Sequence, residues 1–502
     1  MFSSIRSATL LGIQGTPISV EVHIGSGLPG FTVVGLPDEA CREARDRVRA
    51  ALLSSGAEWP NKKITVNLAP SSQRKGGVGL DLALAMGILA ASGQIPIDHL
   101  AEYSFVAELG LDGSLRPVPG AAPLVAGLRD TRVVVAPPNA REAKVASPRS
   151  IHCAGTLREV VLALRGDGEW LDTSSQESMK GTTHFADMSD VRGQPTARLA
   201  AEIAAAGGHH ILFVGSPGAG KTMIAERLPG LLPPLTNEEA VTATMIHSAA
   251  GASLPPGGLI TFPPFRAPHH SASMIAMVGG GSSVLRPGEA SLAHGGVLFL
   301  DEVGEFMPSV LDALRQPLEE GEVRIARASA GVTLPARFLL VGATNPCPCG
   351  GGAPGACVCN ETARARYLRR LSGPFLDRFD LRVAVAMTGV EELLDVREGE
   401  PTAIVQERVA RVRQMSLHRS GGVNARLSAQ ELDTYAPLTN EARNVLRREL
   451  ELGRLTGRGY HRIRRVARTL ADLSGNDGEI PEDTIRVALL LRTRLHERDV
   501  AI

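Results

Sequence analysis

The stretch ILFVGSPGAGKT, Ile211 to Thr222, decides the architecture. Four apolar residues, Ile211 to Val214, read as a buried strand. The loop that follows fits G-x-x-x-x-G-K-[ST] at every position, and helix-forming sequence continues beyond it. Within Gly215, Ser216, Pro217, Gly218, Ala219 and Gly220 the glycines let backbone N–H groups wrap phosphates. The helix N-terminus adds its dipole. Lys221 would reach the β- and γ-phosphates, and Thr222 would ligate Mg²⁺. The expected ligands are therefore ATP and Mg²⁺, and the expected setting is an α/β sheet.

Outward from the loop, two further apolar strands supply the rest of such a site. GGVLFLDEV ends in Asp301 and Glu302, at the carboxyl edge where an open parallel sheet binds ligands. Asp301 would hold Mg²⁺ through water, and Glu302 would activate the attacking water. ARFLLVGATN ends in Asn345, whose amide can orient that water. Downstream, SGPFLDRFDL carries Arg378, placed to act as a finger on a neighbour's γ-phosphate. GRGYHRIRRVARTLADL carries Arg458, Arg462, Arg464, Arg465 and Arg468. One of these is expected to touch the nucleotide of its own subunit, and most of the others to form a solvated basic face.

The bulk numbers agree with a multidomain soluble chain. Its 502 residues suggest roughly three domains. Lys+Arg and Asp+Glu both total 53, so any nucleic-acid surface must be local or built by assembly of several copies. No stretch reads as a secretory signal or a membrane span, and the cytoplasm is the default expectation. Composition sorts the chain into mixed α/β over 1–165, a polar linker over 166–186, a second α/β unit over 187–390 and an all-α region over 391–502.

Four of the six cysteines crowd into TNPCPCGGGAPGACVCN: Cys347, Cys349, Cys357 and Cys359. Four thiolates suit tetrahedral Zn²⁺ in a structural site. A redox disulfide pair and plain packing are the alternatives. Zinc there would pin the loop that follows Asn345. Cys41 and Cys153 read as ordinary buried cysteines, and the adjacent His269 and His270 as structural or DNA-facing groups.

The order of phosphate loop, Asp-Glu strand, strand-end Asn, Arg378 and arginine-bearing helices resembles the AAA+ superfamily. It is most similar to the branch that contains magnesium chelatase and the MCM helicases. A long insertion, FRAPHHSASMIAMVGGGSSVLRPGEASLAHGG, and a hairpin over GEVRIARASAGVTLPARF point there. In that branch such elements project into the pore of a hexameric ring. This would offer Arg266, Arg286, Arg324 and Arg327 to DNA phosphates. By the same resemblance Arg458 is the lid arginine. The match extends to the ComM/YifB family through RPGEASLAHGGVLFLDE, ATNPCPCG, YHRIRRVARTLADL and the N-terminal GLPGFTVVGLPDEACREARDRVRAAL. The resemblance implies an N-terminal Lon-protease-like (S5 domain 2-like) α/β domain, a central AAA+ P-loop αβα domain and a C-terminal helical lid. It also implies a homo-hexameric DNA helicase that drives branch migration in natural transformation. A chelatase-type protein remodeller and a Lon-like ATP-dependent protease are the rivals. Against the protease, Gly77 and Val78 stand where the nucleophile would be expected, in RKGGVGLDLALA. Ser71, Ser72 and Lys75 read as a polar loop, and Arg74 and Lys75 as a solvated surface, with a DNA-phosphate contact as the alternative.

Overall fold

The computed structural model describes residues 1–70, 77–128, 130–147, 151–172, 185–281, 285–326, 331–350, 357–371, 373–389 and 399–493. Ser71, Ser72, Arg74, Lys75 and Arg327 lie outside the described residues, as does most of the expected linker.

The N-terminal unit is a seven-stranded mixed sheet. Its strands are β1 (Phe2–Leu11), β2 (Gln14–Gly25), β3 (Gly30–Val34), β4 (Lys63–Ala69) and β5 (Tyr103–Val106). A two-stranded hairpin follows, β6 (Glu108–Leu109) with β7 (Leu115–Arg116), and then β8 (Arg132–Val135) and β9 (Ile151–Cys153) complete the sheet. The sheet order is β3-β4-β2-β1-β5-β8-β9. β1 alternates exposed and buried residues over its first half, as a strand with one face on the core must. The helix Asp81–Ala91 packs on this sheet and is buried along nearly its whole length. Its first residue, Asp81, is 1% exposed and takes a bidentate pair from Arg47, at 2.7 and 3.0 Å. Sequence reading missed β1 and β5. The first part of the expected linker is fixed rather than free, because Trp170 packs on Tyr103 and His152, and Leu171 N–H donates to Cys153 O at 3.0 Å.

The central unit is a five-stranded parallel sheet in the order β11-β14-β17-β10-β18. These strands are β10 (Ile211–Val214), β11 (Phe265–Arg266), β14 (Val297–Leu300), β17 (Leu339–Thr344) and β18 (Leu381–Ala384). β10, β14 and β17 are buried at every residue, and all are apolar but Thr344 at the end of β17. That is the pattern of a parallel sheet with both faces covered. Two short ribbons interrupt it: β12 (Gly279–Gly280) with β13 (Arg286–Pro287), and β15 (Glu322–Ala326) with β16 (Gly331–Pro335). The second ribbon is the hairpin the sequence suggests.

The two α/β units touch. Helix Ala121–Ala126 lies on helix Asn237–Ala250, with Ala122 N–H donating to Ser248 Oγ at 3.3 Å. The β1–β2 turn seats on the β15–β16 ribbon, and Leu11 and Ile13 join the cluster that contains Val323, Val332 and Leu334. Between them Gly12 has φ +62°, and a Cβ there would stand 2.4 Å from Val332 Cγ1. Only glycine fits that backbone and that gap.

Beyond 399 the described chain is helical: Thr402–Ser420, Ala429–Tyr435, Asn440–Glu451, Gly457–Leu473 and Glu482–Leu490. These helices share one core with the sheet face formed by Ile211, Phe213, Val341 and Leu381. No helix among the described residues is long and apolar enough to cross a membrane.

Candidate functional site

β10, β14 and β17 deliver three groups to one edge of the sheet. The phosphate loop leaves β10, and Gly218 and Gly220 adopt φ +79° and +86° in it. Nothing lies within 4 Å of where a Gly218 Cβ would be, so the loop is open on that side. Helix Lys221–Leu231 starts from Gly220. Lys221 Nζ donates to Gly215 O (2.6 Å), Ser216 O (2.9 Å) and Asn345 Oδ1 (3.1 Å). Burial pulls its pKa below the usual lysine value, against the opposing pull of Asp301 and Glu302. Thr222 Oγ1 donates to Asp301 Oδ2 at 3.0 Å. Glu302, at φ +48°, is 3.5 Å from His270 Nδ1. The loop, Asp301, Glu302 and Asn345 are thus brought together within one chain. The two expected Mg²⁺ ligands, Thr222 and Asp301, touch each other directly.

Arg378 and Arg458 are not brought there. β18 runs parallel to β10, with Leu381 opposite Ile211 and Ala384 opposite Val214. The phosphate loop follows Val214, whereas Arg378 precedes Leu381, so the two sit at opposite ends of the strands. Three residue steps separate them by about 10 Å or more. Helix Gly457–Leu473 packs at the same far end: Thr469 Oγ1 meets His209 Nε2 at 2.8 Å, and His209 directly precedes β10's neighbour His210. Arg458 is exposed in the first turn of that helix. Burial lowers the Arg378 pKa, and Arg462, Arg458 and Arg315 lower it further, which marks a basic cluster. Arg378 also pairs with Glu319 of its own chain. Arg458 thus lies in the basic cluster around Arg378, away from the phosphate loop of its own chain.

The other helix arginines also depart from expectation. Arg462, Arg464 and Arg468 are buried and Arg465 half-buried, and all four have partners instead of a solvated face. Arg462 lies 3.7 Å from Asp380, Arg464 donates to Leu432 O (2.8 Å) and Ala436 O (3.1 Å), and Arg465 donates to Leu427 O at 2.7 Å. Arg468, 1% exposed, bonds Asp472 at 3.0 Å. Arg266 likewise forms a bidentate pair with Glu289, at 2.6 and 2.8 Å, and is committed to that partner. Arg286 is exposed, and Arg324 is exposed beside Glu320 and Glu322.

The cysteine cluster assembles in space. Sγ of Cys347 lies 3.4 Å from that of Cys349 and 3.5 Å from that of Cys357, and Cys349 to Cys357 is 3.7 Å. All four ligand atoms, Cys359 included, lie within 4.8 Å of one another. A disulfide needs sulfurs about 2.05 Å apart, and all the cysteines are free thiols. Zn–S bonds of about 2.3 Å at tetrahedral angles place sulfurs about 3.8 Å apart. The cluster fits a tetrahedral metal. Burial, followed by hydrogen bonds with Cys349 and Cys357, pushes the Cys347 thiol up to about 12, a sign of how tightly the thiols converge. Cys41 and Cys153 are buried, as read.

Sequence reading missed Gln194. Its backbone is left-handed, at φ 58°, and its side-chain amide donates to Ala219 O (2.9 Å) and Ala386 O (2.7 Å). It straps the phosphate loop to the end of β18. Gly193 and Pro195 on either side line a cavity of about 570 Å³, with Met188, Arg192 and Arg198. Gln194 stands in the family-like stretch DVRGQPTARLAAEIAAAGGHHILFVGSPGAGKT, but a glutamine there names no role, and only the fold shows what it holds.

Residues 187–393 match the family described as magnesium chelatase, subunit ChlI. Residues 20–139 match subunit ChlI of Mg-chelatase, and 399–492 match its C-terminal part. The competence protein ComM of Haemophilus influenzae is 44% identical over 484 residues, 94% of each chain. The uncharacterized protein YifB of Escherichia coli is 43% identical over 478 residues, 95% of this chain and 94% of its own. A probable DNA helicase MCM9 of Arabidopsis thaliana is 26% identical over 203 residues, 40% of this chain and 25% of its own. With this identity over almost its whole length, and a phosphate loop, Asp-Glu pair and strand-end Asn converging on one sheet edge, the chain belongs to the ComM/YifB family of magnesium-chelatase-like AAA+ proteins.

Proposed function

We propose that this chain is an ATP-hydrolysing motor that assembles as a homo-hexamer and moves single-stranded or branched DNA through its central pore. The observation that carries the reading is the separation of the phosphate loop from Arg378 across one sheet. Half of the site faces one end of the strands and the arginine half faces the other. A ring of like subunits brings the halves of neighbours together. Arg378 and Arg458 then act on the nucleotide of the adjacent subunit, and Glu319 holds Arg378 while that neighbour is absent.

Within the chain, Lys221 and the loop amides bind the phosphates. Its present partners, two carbonyls and the Asn345 amide oxygen, occupy positions that phosphate oxygens can take. Thr222 and Asp301 would hold Mg²⁺, which neutralises charge on the β- and γ-phosphates when bound. Glu302 takes the proton of the attacking water once it swings away from His270, and Asn345 orients that water. The four cysteines would hold a structural Zn²⁺ with no open position. DNA as substrate is supported by the competence protein and the probable helicase among the relatives. Arg286 and Arg324 remain exposed for its phosphates.

Mixing supplies the test. Lys221→Ala and Arg378→Ala proteins should each be inactive, and together should regain part of the forked-DNA-stimulated ATPase activity. Full activity of either protein as a monomer would sink the assembly, and no stimulation by any DNA would sink the substrate.

A further inference from the structure

The cysteine turn lies against the phosphate loop itself. Gly350 is buried in that turn, and its N–H donates to Cys347 O at 3.1 Å. Its φ is +72°, and a Cβ on it would stand 2.7 Å from Pro217 Cγ and 3.0 Å from Pro217 Cδ. Pro217 is the third residue of the loop G-S-P-G-A-G-K-T. Real Cβ atoms do not approach a ring that closely, so the turn and the loop meet through a contact that only glycine allows. A second link runs through the same segment. Asn345, two residues before Cys347, accepts from Lys221 Nζ at 3.1 Å. The cysteine segment therefore touches the phosphate loop at its third and seventh residues.

We propose that Gly350 is a positioning residue, and that the cysteine turn buttresses the phosphate loop so that metal and nucleotide bind the chain cooperatively. The inference rests on the zinc and ATP readings above and adds a coupling between them. The physical reason is rigidity. The segment is rich in Gly and Pro and has no apolar run with which to order itself. Four thiolates on one ion would fix Cys347 and Cys349, and with them the position of Gly350 between Cys349 and residue 351. A fixed Gly350 limits where the Pro217 ring can go. A loop already held in its phosphate-binding form loses less freedom on taking up ATP. Coupling of this kind is reciprocal: whatever factor the metal adds to nucleotide affinity, the nucleotide adds to metal affinity.

Reciprocity gives a test that does not depend on turnover. Full-length protein loaded with Zn²⁺ is mixed with a colorimetric chelator, with and without a non-hydrolysable ATP analogue and Mg²⁺, and the share of metal taken by the chelator at equilibrium is measured. The analogue should tighten zinc binding by at least about fivefold, and metal-stripped protein should bind the analogue more weakly by a similar factor. Gly350→Ala should retain stoichiometric zinc while losing the protection by nucleotide and binding the analogue more weakly. Because that variant also strains a left-handed backbone, Pro217→Ala is the companion. It removes the ring from the other side, so in the Gly350→Ala background it should raise analogue binding to that of metal-stripped wild type and leave the protection by nucleotide absent. A zinc affinity that ignores the nucleotide, in protein that binds both ligands, would overturn the buttress and leave the zinc and ATP readings standing. Protein that carries no zinc, or does not bind the analogue, would overturn those readings and the coupling with them.

Discussion

Glu302 shows how much a single residue's backbone can decide. It holds a left-handed conformation that a glutamate adopts at some cost. Its N–H donates to Asp301 Oδ1 at 2.9 Å, which ties its backbone to the neighbouring acid. Glu302→Gln preserves that backbone and removes only the base. It should bind ATP near wild-type affinity and lose turnover by about 10²-fold or more, measured by nucleotide binding and phosphate release. Turnover within twofold of wild type would contradict the assignment. Two histidines set a different residue-scale property. Burial lowers both His210 and His294 to about 4. The hydrogen bonds agree: Nδ1 of His210 accepts from Leu340 N–H at 3.0 Å, and Nδ1 of His294 accepts from Arg337 N–H at 3.2 Å, so each nitrogen must stay unprotonated. Folded pKa values below the unfolded value of about 6.5 mean that the unfolded chain binds more protons between pH 6.5 and 4. Stability is therefore fully present above pH 6.5 and falls as pH drops, with these two groups giving a slope of up to about 2.7 kcal/mol per pH unit. Urea midpoints measured from pH 7 to pH 5 should decline, and replacing both histidines by Gln should flatten the decline.

Elements were legible to the degree that their residues carried a period or a motif. The phosphate-loop strand and helix were plain, because apolar run, glycine loop and Lys-Thr pair leave one reading. The β15–β16 ribbon was plain from its alternation. Helix Gly457–Leu473 was misread because arginine counts as polar in any composition-based reading. In the fold each guanidinium finds carbonyls or a carboxylate, and its stem fills the core between the helices and the sheet. Gln194 and Gly350 stand inside stretches that resemble the family pattern, but their roles could not be read there, since those lie in what the fold brings against them. The helix also explains how this region is fixed to the sheet. Asp472, fully buried, receives Arg419 (2.6 and 3.0 Å), Arg468 (3.0 Å) and Asn424 (2.8 Å). At the sheet end, burial pushes the Asp380 carboxyl upward, but the hydrogen bond from His209 and the charge of Arg462 prevail and hold it below the usual range. Asp472→Ala should leave two guanidinium groups short of a counter-charge and destabilise the helical region by about 3–5 kcal/mol. Denaturant unfolding is the check, and a loss under 1 kcal/mol would show that Arg419 and Arg468 can find other acceptors.

At the scale of the molecule, two α/β units and a helical region are joined by contacts distant in sequence. The parallel sheet gives the central unit two chemically different ends, one holding the phosphate loop and the other the basic cluster around Arg378. In the proposed assembly each copy's phosphate loop would meet the basic cluster of a neighbour, and a closed ring is the arrangement in which every half would be used. The seat of the β1–β2 turn on the β15–β16 ribbon has a consequence for how the chain is made. Leu11 and Ile13 are synthesised some 320 residues ahead of Val332 and Leu334, against which they pack. At about 5–20 residues per second, the turn waits roughly 15–65 s on the ribosome with its apolar side uncovered. Nascent chains stalled before residue 332 should be cleaved at the turn by a protease specific for large apolar residues, and chains stalled well beyond residue 400 should resist. Equal cleavage of both would mean that the turn is shielded from the outset, and the N-terminal unit would then owe nothing to the later arrival of the ribbon.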